Sequence, residues 1–119
     1  MTGGLLWDQH ACLPLSARAE VAQLARWAQP EGAFVSVNVG YSPHTTAEVL
    51  ALLELFRGRV GGDDRLCLAG TVAEVDRAVA AGLVAVAFDL EDCAPLEGDL
   101  DRVRLFYDLG VRTMLPTYN

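Results

Sequence analysis

The chain has 119 residues, 52% of them hydrophobic and 21% charged, and its 9 basic residues against 16 acidic ones give a net charge of −7. A chain this apolar is not mainly disordered, because enough apolar surface exists to form a core. All the basic residues are arginines that stand singly, so the sequence offers no basic stripe and argues against a nucleic-acid partner.

Cysteine usage and hydropathy bear on the compartment. The 3 cysteines are too few for a disulfide scaffold, which predicts a reducing, cytoplasmic environment. No apolar run approaches the length of a membrane span, and the first residues lack the basic and apolar regions of a signal peptide. We therefore expect a soluble interior protein with no membrane span and one domain of ordinary size.

The first predicted elements are a strand, a helix and a second strand. An apolar run at residues 5–7 predicts a strand that breaks at residues 8–12. Ser16 is placed to cap a helix that continues through Trp27. Strict alternation over residues 33–40 then predicts a strand with valines on one face and polar or aromatic residues on the other.

Two helices are predicted from capping boxes. Thr45 with Glu48 begins one helix, which we expect to end before the turn-rich, mobile stretch at residues 57–64. After a short apolar piece, Thr71 with Glu74 repeats the pattern and begins the next helix.

The rest of the chain continues the alternation. Gly82 is placed to end the preceding helix in a left-handed conformation, and residues 83–88 predict a strand buried on both faces. Asp99 is placed to cap a last helix, and residues 111–115 predict a last strand. Strands alternating with helices predict an α/β fold with parallel strands and right-handed crossovers.

Polar residues follow several of the predicted strands, where parallel α/β folds place their reactive groups. His10 and Cys12 are two residues apart on an extended segment, so both side chains project to one side and together suit zinc. Taken alone, the pair more often indicates a histidine satisfied at a strand end and a small buried thiol.

A second polar group follows the later buried strand. Glu91 and Cys93 repeat the same spacing, and the carboxylates of Asp89, Glu91 and Asp92 would repel one another unless exposed, capped or neutralised by a cation. The alternatives are a solvated acidic loop and a nucleophilic pair of His10 with Cys93.

The pattern resembles the zinc-dependent membrane dipeptidases, also called renal dipeptidases, of the amidohydrolase-like barrel group. That family begins with D-G-H-x-D-L-P, which residues 8–14 approximate as D-Q-H-A-C-L-P. The most specific part is F-Y-D-L-G-V-R at residues 106–112, followed by P-T-Y-N at residues 116–119 in place of the family's L-T-H-N. The resemblance implies the first part of a TIM-type (β/α)8 barrel, so residues 1–119 form a single, incomplete barrel domain.

The resemblance also implies a metal site. His10 and Glu91 keep the positions of two zinc ligands, and Cys12 replaces an aspartate ligand with a thiol that zinc also accepts. In the family, a metal-bridging water attacks the peptide carbonyl of a dipeptide. The implied cofactor is therefore zinc, and the implied substrate is a dipeptide or a related small amide.

Several departures from the family fall at the same place. In place of the family's G-G-H after the glutamate, this chain has Asp92-Cys93-Ala94. Asp92 and Cys93, together with Asp8, are therefore additional candidate site residues. Tyr118 replaces the histidine that helps bind substrate and polarise its carbonyl, so Tyr118 is the implied catalytic donor and Tyr118 and Asn119 the implied substrate-binding residues.

Three functional hypotheses follow. The first is the amino-terminal portion of a metallodipeptidase with an altered site, inactive as this chain alone because the remaining family ligands lie beyond Asn119. The second is a non-catalytic, dipeptidase-like protein that binds a ligand or partner. The third is a compact flavodoxin-type domain with no exposed sheet edge. An incomplete barrel predicts that a second copy or a missing carboxyl-terminal half covers its open edge.

Overall fold

The computed structural model describes residues 4–118 and shows strands alternating with helices. The strands are β1 (Leu6–Ala11), β2 (Ala33–Asn38), β3 (Leu66–Leu68), β4 (Val84–Leu90) and β5 (Val111–Met114). The helices are α1 (Thr46–Gly61), α2 (Val72–Ala80) and α3 (Asp101–Asp108), with 3₁₀-helices at Val21–Trp27 and Ala94–Leu96. Among the described residues, no helix is both long and apolar enough to cross a membrane.

The five strands form one sheet in which β4 has a central place. β4 pairs with β2 along one side, and on its other side it pairs with β3 near its start and with β5 near its end. β1 pairs with β2, and every pairing is parallel. The predicted α/β fold with parallel strands is confirmed, and the carboxyl ends of β1, β2, β4 and β5 lie at the same edge of the sheet.

The sheet is buried on both faces over β2 and β4, which is why these strands are almost continuously apolar. On one face, valines of both strands and Phe88 pack with Leu53 and Phe56 of α1 and with Phe106 of α3. On the other face, Phe34, Ala85 and Ala87 pack with Val75 and Ala78 of α2. Helices therefore cover both faces, with α2 alone on the second face among the described α-helices.

The first predicted helix is wrong in type and in its start. The structure has a 3₁₀-helix at Val21–Trp27 that begins after Glu20, and Ser16 accepts a hydrogen bond from the backbone of Arg18 instead of capping a helix. The guanidinium of Arg59 donates to the carbonyls of residues 17 and 19. An α-helix beginning at Ser16 would need those carbonyls for its own amides.

The helix that begins at the first capping box was predicted to end before the stretch at residues 57–64, but it continues to Gly61. The capping box of Thr45 and Glu48 is present as predicted. The turn-rich composition of the stretch at 57–64 gave the wrong end, because Val60 is fully buried against the core and holds the last turn in helical form. The stretch expected to be a mobile loop is therefore mostly helix.

The other predicted helix ends hold in part. Thr71 accepts a hydrogen bond from the amide of Glu74, but the carboxylate of Glu74 bonds the amide of Gly70, so the capping box of α2 is incomplete. Gly82 adopts φ +76°, as predicted. The predicted cap at Asp99 is wrong by one residue, because the N-cap of α3 is Leu100, which makes no side-chain cap; Asp99 instead accepts from the amide of Asp101.

The edge strand β1 differs from the two central strands. Among the described strands it pairs with β2 alone, and Trp7, which stacks on Phe34, is 48% exposed. The flavodoxin-type alternative predicted a sheet without an exposed edge, and that expectation is wrong. β1 is also longer than predicted, because it continues through Ala11 with an irregularity between Asp8 and Ala11.

Candidate functional site

The irregularity in β1 decides which side chains face the site. In a regular strand, Asp8 and His10 would lie on one face. Here the Asp8 carboxylate accepts from the indole of Trp27 at 2.8 Å and from the backbone of His10, whereas the His10 ring turns to the opposite face and meets β4. The shift in pairing aims the two residues apart, as bulges do.

The His10 imidazole lies at the centre of the candidate site. Its Nδ1 is 2.8 Å from Asp89 Oδ1. Its Nε2 is 3.5 Å from Cys12 Sγ and 3.9 Å from Glu91 Oε1. The structure therefore brings together the three predicted metal ligands, His10, Cys12 and Glu91, around one ring nitrogen.

Asp89 also belongs to this site, although the sequence predicted it only as one of three neighbouring carboxylates. It is 3% exposed, and its second oxygen accepts a 2.7 Å hydrogen bond from the Ser36 hydroxyl. Burial raises the pKa of the Asp89 carboxyl, and the hydrogen bonds from Ser36 and His10 act in the opposite direction. The side chain is thus a buried acid held by two polar partners.

Two residues of β2 support the site, Ser36 and Asn38, and neither was predicted as a metal ligand or catalytic group. Ser36 bonds Asp89, and the Asn38 amide donates to Glu91 Oε2 at 3.3 Å while its oxygen accepts from the amide of Gly40. The signal that could have identified them is the polar face of the strand at 33–40. A polar side chain in a strand buried on both faces needs a polar partner, and Asp89 of β4 and Glu91, the residue after β4, supply the two partners.

Cys12 is next to negative charge. Desolvation raises the pKa of its thiol, and the carboxylates of Glu91, Asp89 and Asp8 raise it further. The thiol is therefore protonated when the site holds no cation, and a metal would have to displace that proton.

The other predicted site residues lie around the mouth. The Asp92 carboxylate accepts from the backbone amides of Ser42 and Ala94, so it fastens two loops together. Cys93 is exposed and lines a cavity of about 770 Å³. Tyr118, 62% exposed, lines this cavity and a neighbouring one of about 370 Å³. Asn119 lies outside the described residues.

The two cavities open above the carboxyl ends of the strands and both include Glu91. The smaller cavity is also lined by His10, Asp89 and Thr113. A small molecule bound here would contact the polar ends of β1, β4 and β5, which is where (β/α) barrels place their active sites.

A zinc ion fits the donors of this site only in part. Two ligands of one tetrahedral zinc lie about 3.5 Å apart, from bond lengths of about 2.0–2.3 Å, and the 3.5 Å between His10 Nε2 and Cys12 Sγ matches that separation. Glu91 is farther from the imidazole, and one of its oxygens is bonded to Asn38. Within residues 4–118, no three His, Cys, Asp or Glu side chains are arranged to hold a metal ion.

Solved structures with the same fold include an amidohydrolase from Pseudomonas aeruginosa, with 14% sequence identity, a TM-score of 0.75 and coverage of 97% of this chain and 34% of that protein. A probable dipeptidase, PvdM, from the same organism gives 18% identity, a TM-score of 0.66 and coverage of 96% and 34%. A dipeptidase AC, described as a metallopeptidase of family M19, has 20% sequence identity and a TM-score of 0.63. The match covers 94% of this chain and 42% of that protein.

These likenesses establish the fold. The chain spans between about 34% and 42% of the length of those solved structures, so it has the architecture of one portion of them. The prediction that the chain has the fold of a portion of a barrel is therefore confirmed. No protein-family model matches the chain, and no curated protein matches it.

Proposed function

We propose that this chain is the amino-terminal part of a barrel hydrolase that cleaves dipeptides or related small amides. The observation that carries the proposal is the convergence of Cys12 and Glu91 on Nε2 of His10, beneath the cavities at the carboxyl ends of the strands. Polar groups from separate strands are grouped at the edge where this architecture carries catalysis. The fold shared with amidohydrolases and dipeptidases supports the same proposal.

Within this proposal, His10, Cys12 and Glu91 contribute to a zinc site. When bound, zinc would polarise the carbonyl of the substrate and make a water nucleophilic at neutral pH. His10 offers Nε2, Cys12 offers its sulphur after losing a proton, and Glu91 offers the oxygen nearest to His10. Because the described residues do not form a complete metal site, the remaining ligands come from outside them.

Tyr118 is proposed to act on the substrate. Its exposed side chain lines both cavities, so its hydroxyl can donate a hydrogen bond to a carbonyl oxygen held there. Asn119, the next residue, is proposed to bind the substrate beside it. The cavity of about 770 Å³ is within the range that holds a small ligand.

The open edge of β1 is part of the same proposal. β1 has one strand partner among the described strands, and the large side chains of Leu6 and Trp7 are 37% and 48% exposed. We propose that a further part of the barrel, or a second copy of this chain, covers this edge and contributes the missing site residues.

A non-catalytic role is the second candidate, and two observations favour it. The Cys12 thiol has a raised pKa among carboxylates, and Asp92 is occupied with two loop amides. In that case the strand ends bind a ligand or a partner without a metal. A partner that still binds after Glu91→Gln and His10→Ala would identify this role.

The zinc proposal is tested by metal analysis of the chain with Cys12 intact and with Cys12→Asp. We expect the aspartate variant to bind zinc at least as well, because a carboxylate loses its proton far more readily than this thiol does. Cys93→Asp is the matched control, and it should leave zinc binding unchanged. Weaker zinc binding in Cys12→Asp than in the unmodified chain would contradict the expected exchange of ligands, and zinc binding that is unchanged in Cys12→Ala would contradict the ligand role of Cys12.

A further inference from the structure

We propose that Asp89 is a positioning residue that fixes the His10 ring with a proton on Nδ1 and leaves Nε2 free to accept. The proposal rests on the proposed function only for what Nε2 then does, which is to bind a metal or take a substrate proton. The arrangement of Asp89, His10 and Ser36 stands on the described contacts alone.

The geometry fits this role for an ionised carboxylate. Asp89 Oδ1 is 2.8 Å from His10 Nδ1, and Asp89 Oδ2 accepts from Ser36 at 2.7 Å. An ionised carboxylate can only accept hydrogen bonds, so the ring nitrogen facing it must carry a hydrogen. In a neutral imidazole the other nitrogen, Nε2, is then an acceptor, and it faces Cys12 and Glu91.

The acid is itself held rigidly. Asp89 is 3% exposed and Ser36 is 1% exposed, and both lie on paired central strands whose neighbouring positions are in regular register. A carboxylate on a surface loop would let the imidazole rotate, whereas this one is fixed by the sheet. Ligating and general-base histidines in other proteins are commonly oriented by such a second hydrogen bond.

Other acids near His10 cannot serve this purpose. Glu91 lies on the Nε2 side at 3.9 Å, and the Asp8 carboxylate bonds the His10 backbone and Trp27, not the ring. A buried acid is also costly, since burial disfavours its charged form. Its presence between Ser36 and His10 is explained if it orients the ring.

The test measures the tautomer of His10 directly. Nitrogen-15 NMR of the chain distinguishes Nδ1–H from Nε2–H imidazole, and we expect the Nδ1–H tautomer for the neutral ring of His10. Asp89→Ala should convert His10 to a mixture dominated by the Nε2–H form. Asp89→Asn should keep the Nδ1–H form, because the amide oxygen still accepts.

Two internal controls accompany the variants. His44, the second histidine, has its Nδ1 2.6 Å from the carbonyl of Tyr41 and should be unaffected by any change at Asp89. Ser36→Ala removes the other hydrogen bond of Asp89 and should leave the His10 tautomer unchanged. An Nε2–H form in the unmodified chain, or no change in Asp89→Ala, would overturn the proposal.

A second measurement separates this inference from the proposed function. If the chain binds zinc, Asp89→Ala should weaken binding by about 10–100-fold and Asp89→Asn by less. Absence of zinc binding would count against a zinc site formed by this chain alone and leave the tautomer result to decide the inference. If Asp89→Ala does not fold, the tautomer in the unmodified chain and in Asp89→Asn still decides it.

Discussion

The irregularity in β1 turns Asp8 away from the candidate site and turns His10 towards it. Asp8, His10 and Cys12 share a two-residue spacing, and that spacing correctly predicted the contact of His10 with Cys12. The same spacing would place Asp8 beside them, but the shift between Asp8 and Ala11 turns its carboxylate to Trp27. Spacing alone therefore could not decide whether Asp8 lies in the candidate site.

Asp8 is expected to contribute to stability. Asp8→Ala removes the acceptor of the Trp27 indole and of the His10 amide, which should lower the free energy of unfolding by about 1–2 kcal/mol. Urea unfolding followed by tryptophan fluorescence measures this change. Asp76→Ala, at an exposed position of α2, should alter stability by less than about 0.5 kcal/mol.

The tautomer of His10 should be the same in Asp8→Ala as in the unmodified chain, because the Asp8 carboxylate does not touch the ring. A tautomer change in this variant would mean that Asp8 and Asp89 share the positioning role.

At the scale of elements, burial outweighed local composition. Residues 57–64 are rich in glycine and charge, yet α1 continues through Gly61 because Val60 is completely buried. Conversely, the segment after Ser16 has helical spacing but forms only a 3₁₀-helix, since Arg59 binds its carbonyls. Both outcomes depend on contacts with α1 or the core, which no local pattern contains.

The helical state of this stretch predicts that Gly58→Ala stabilises the chain. Gly58 is exposed within α1, and an added Cβ would meet no atom within 4 Å. Alanine in a helix interior is favoured over glycine by about 0.5–1 kcal/mol. An increase of this size in the free energy of unfolding is expected, measured by urea denaturation.

Gly32→Ala is the matched contrast. Gly32 has φ +102°, and a Cβ there would overlap the side chain of Val79. This substitution should destabilise the chain by more than about 1 kcal/mol. A loop at Gly58, as its composition suggests, would give no gain for Gly58→Ala and would refute the helical assignment.

In the whole molecule, β4 connects the sheet, both core clusters and the candidate site. It pairs with β2, β3 and β5, and all of its residues are buried. Its apolar side chains contact helices on both faces, and its polar end supplies Asp89 to the site. Core stability and site geometry therefore depend on the same strand.

Phe88→Ala should be severely destabilising. Phe88 is fully buried in the larger core cluster, and deleting such a ring costs about 3–5 kcal/mol. That loss is a large fraction of the 5–15 kcal/mol typical of a folded domain. Thermal or urea unfolding should show it, whereas Val72→Ala, at a position 72% exposed, should change stability by less than about 0.5 kcal/mol.

The sequence by itself determined the class of fold, most of the elements and the approximate position of the site. Period-two alternation and buried apolar runs predict strands because apolar side chains must leave water, and this constraint is local. The alternation of strands with helices then predicts parallel pairing. Polar residues at strand ends pointed to His10, Cys12 and Glu91 because parallel α/β folds place reactive groups there, and the resemblance to the dipeptidases implied a ligand role for them.

Only the tertiary structure decided which polar side chains meet. Ser36 and Asp89 are 53 residues apart, and His10 and Asp89 are 79 residues apart. These partners become neighbours through the register of β1, β2 and β4, and the irregularity in β1 selects His10 over Asp8 for the site. Strand register and hydrogen-bond partners are set by packing between distant segments, so they cannot be read from any one segment.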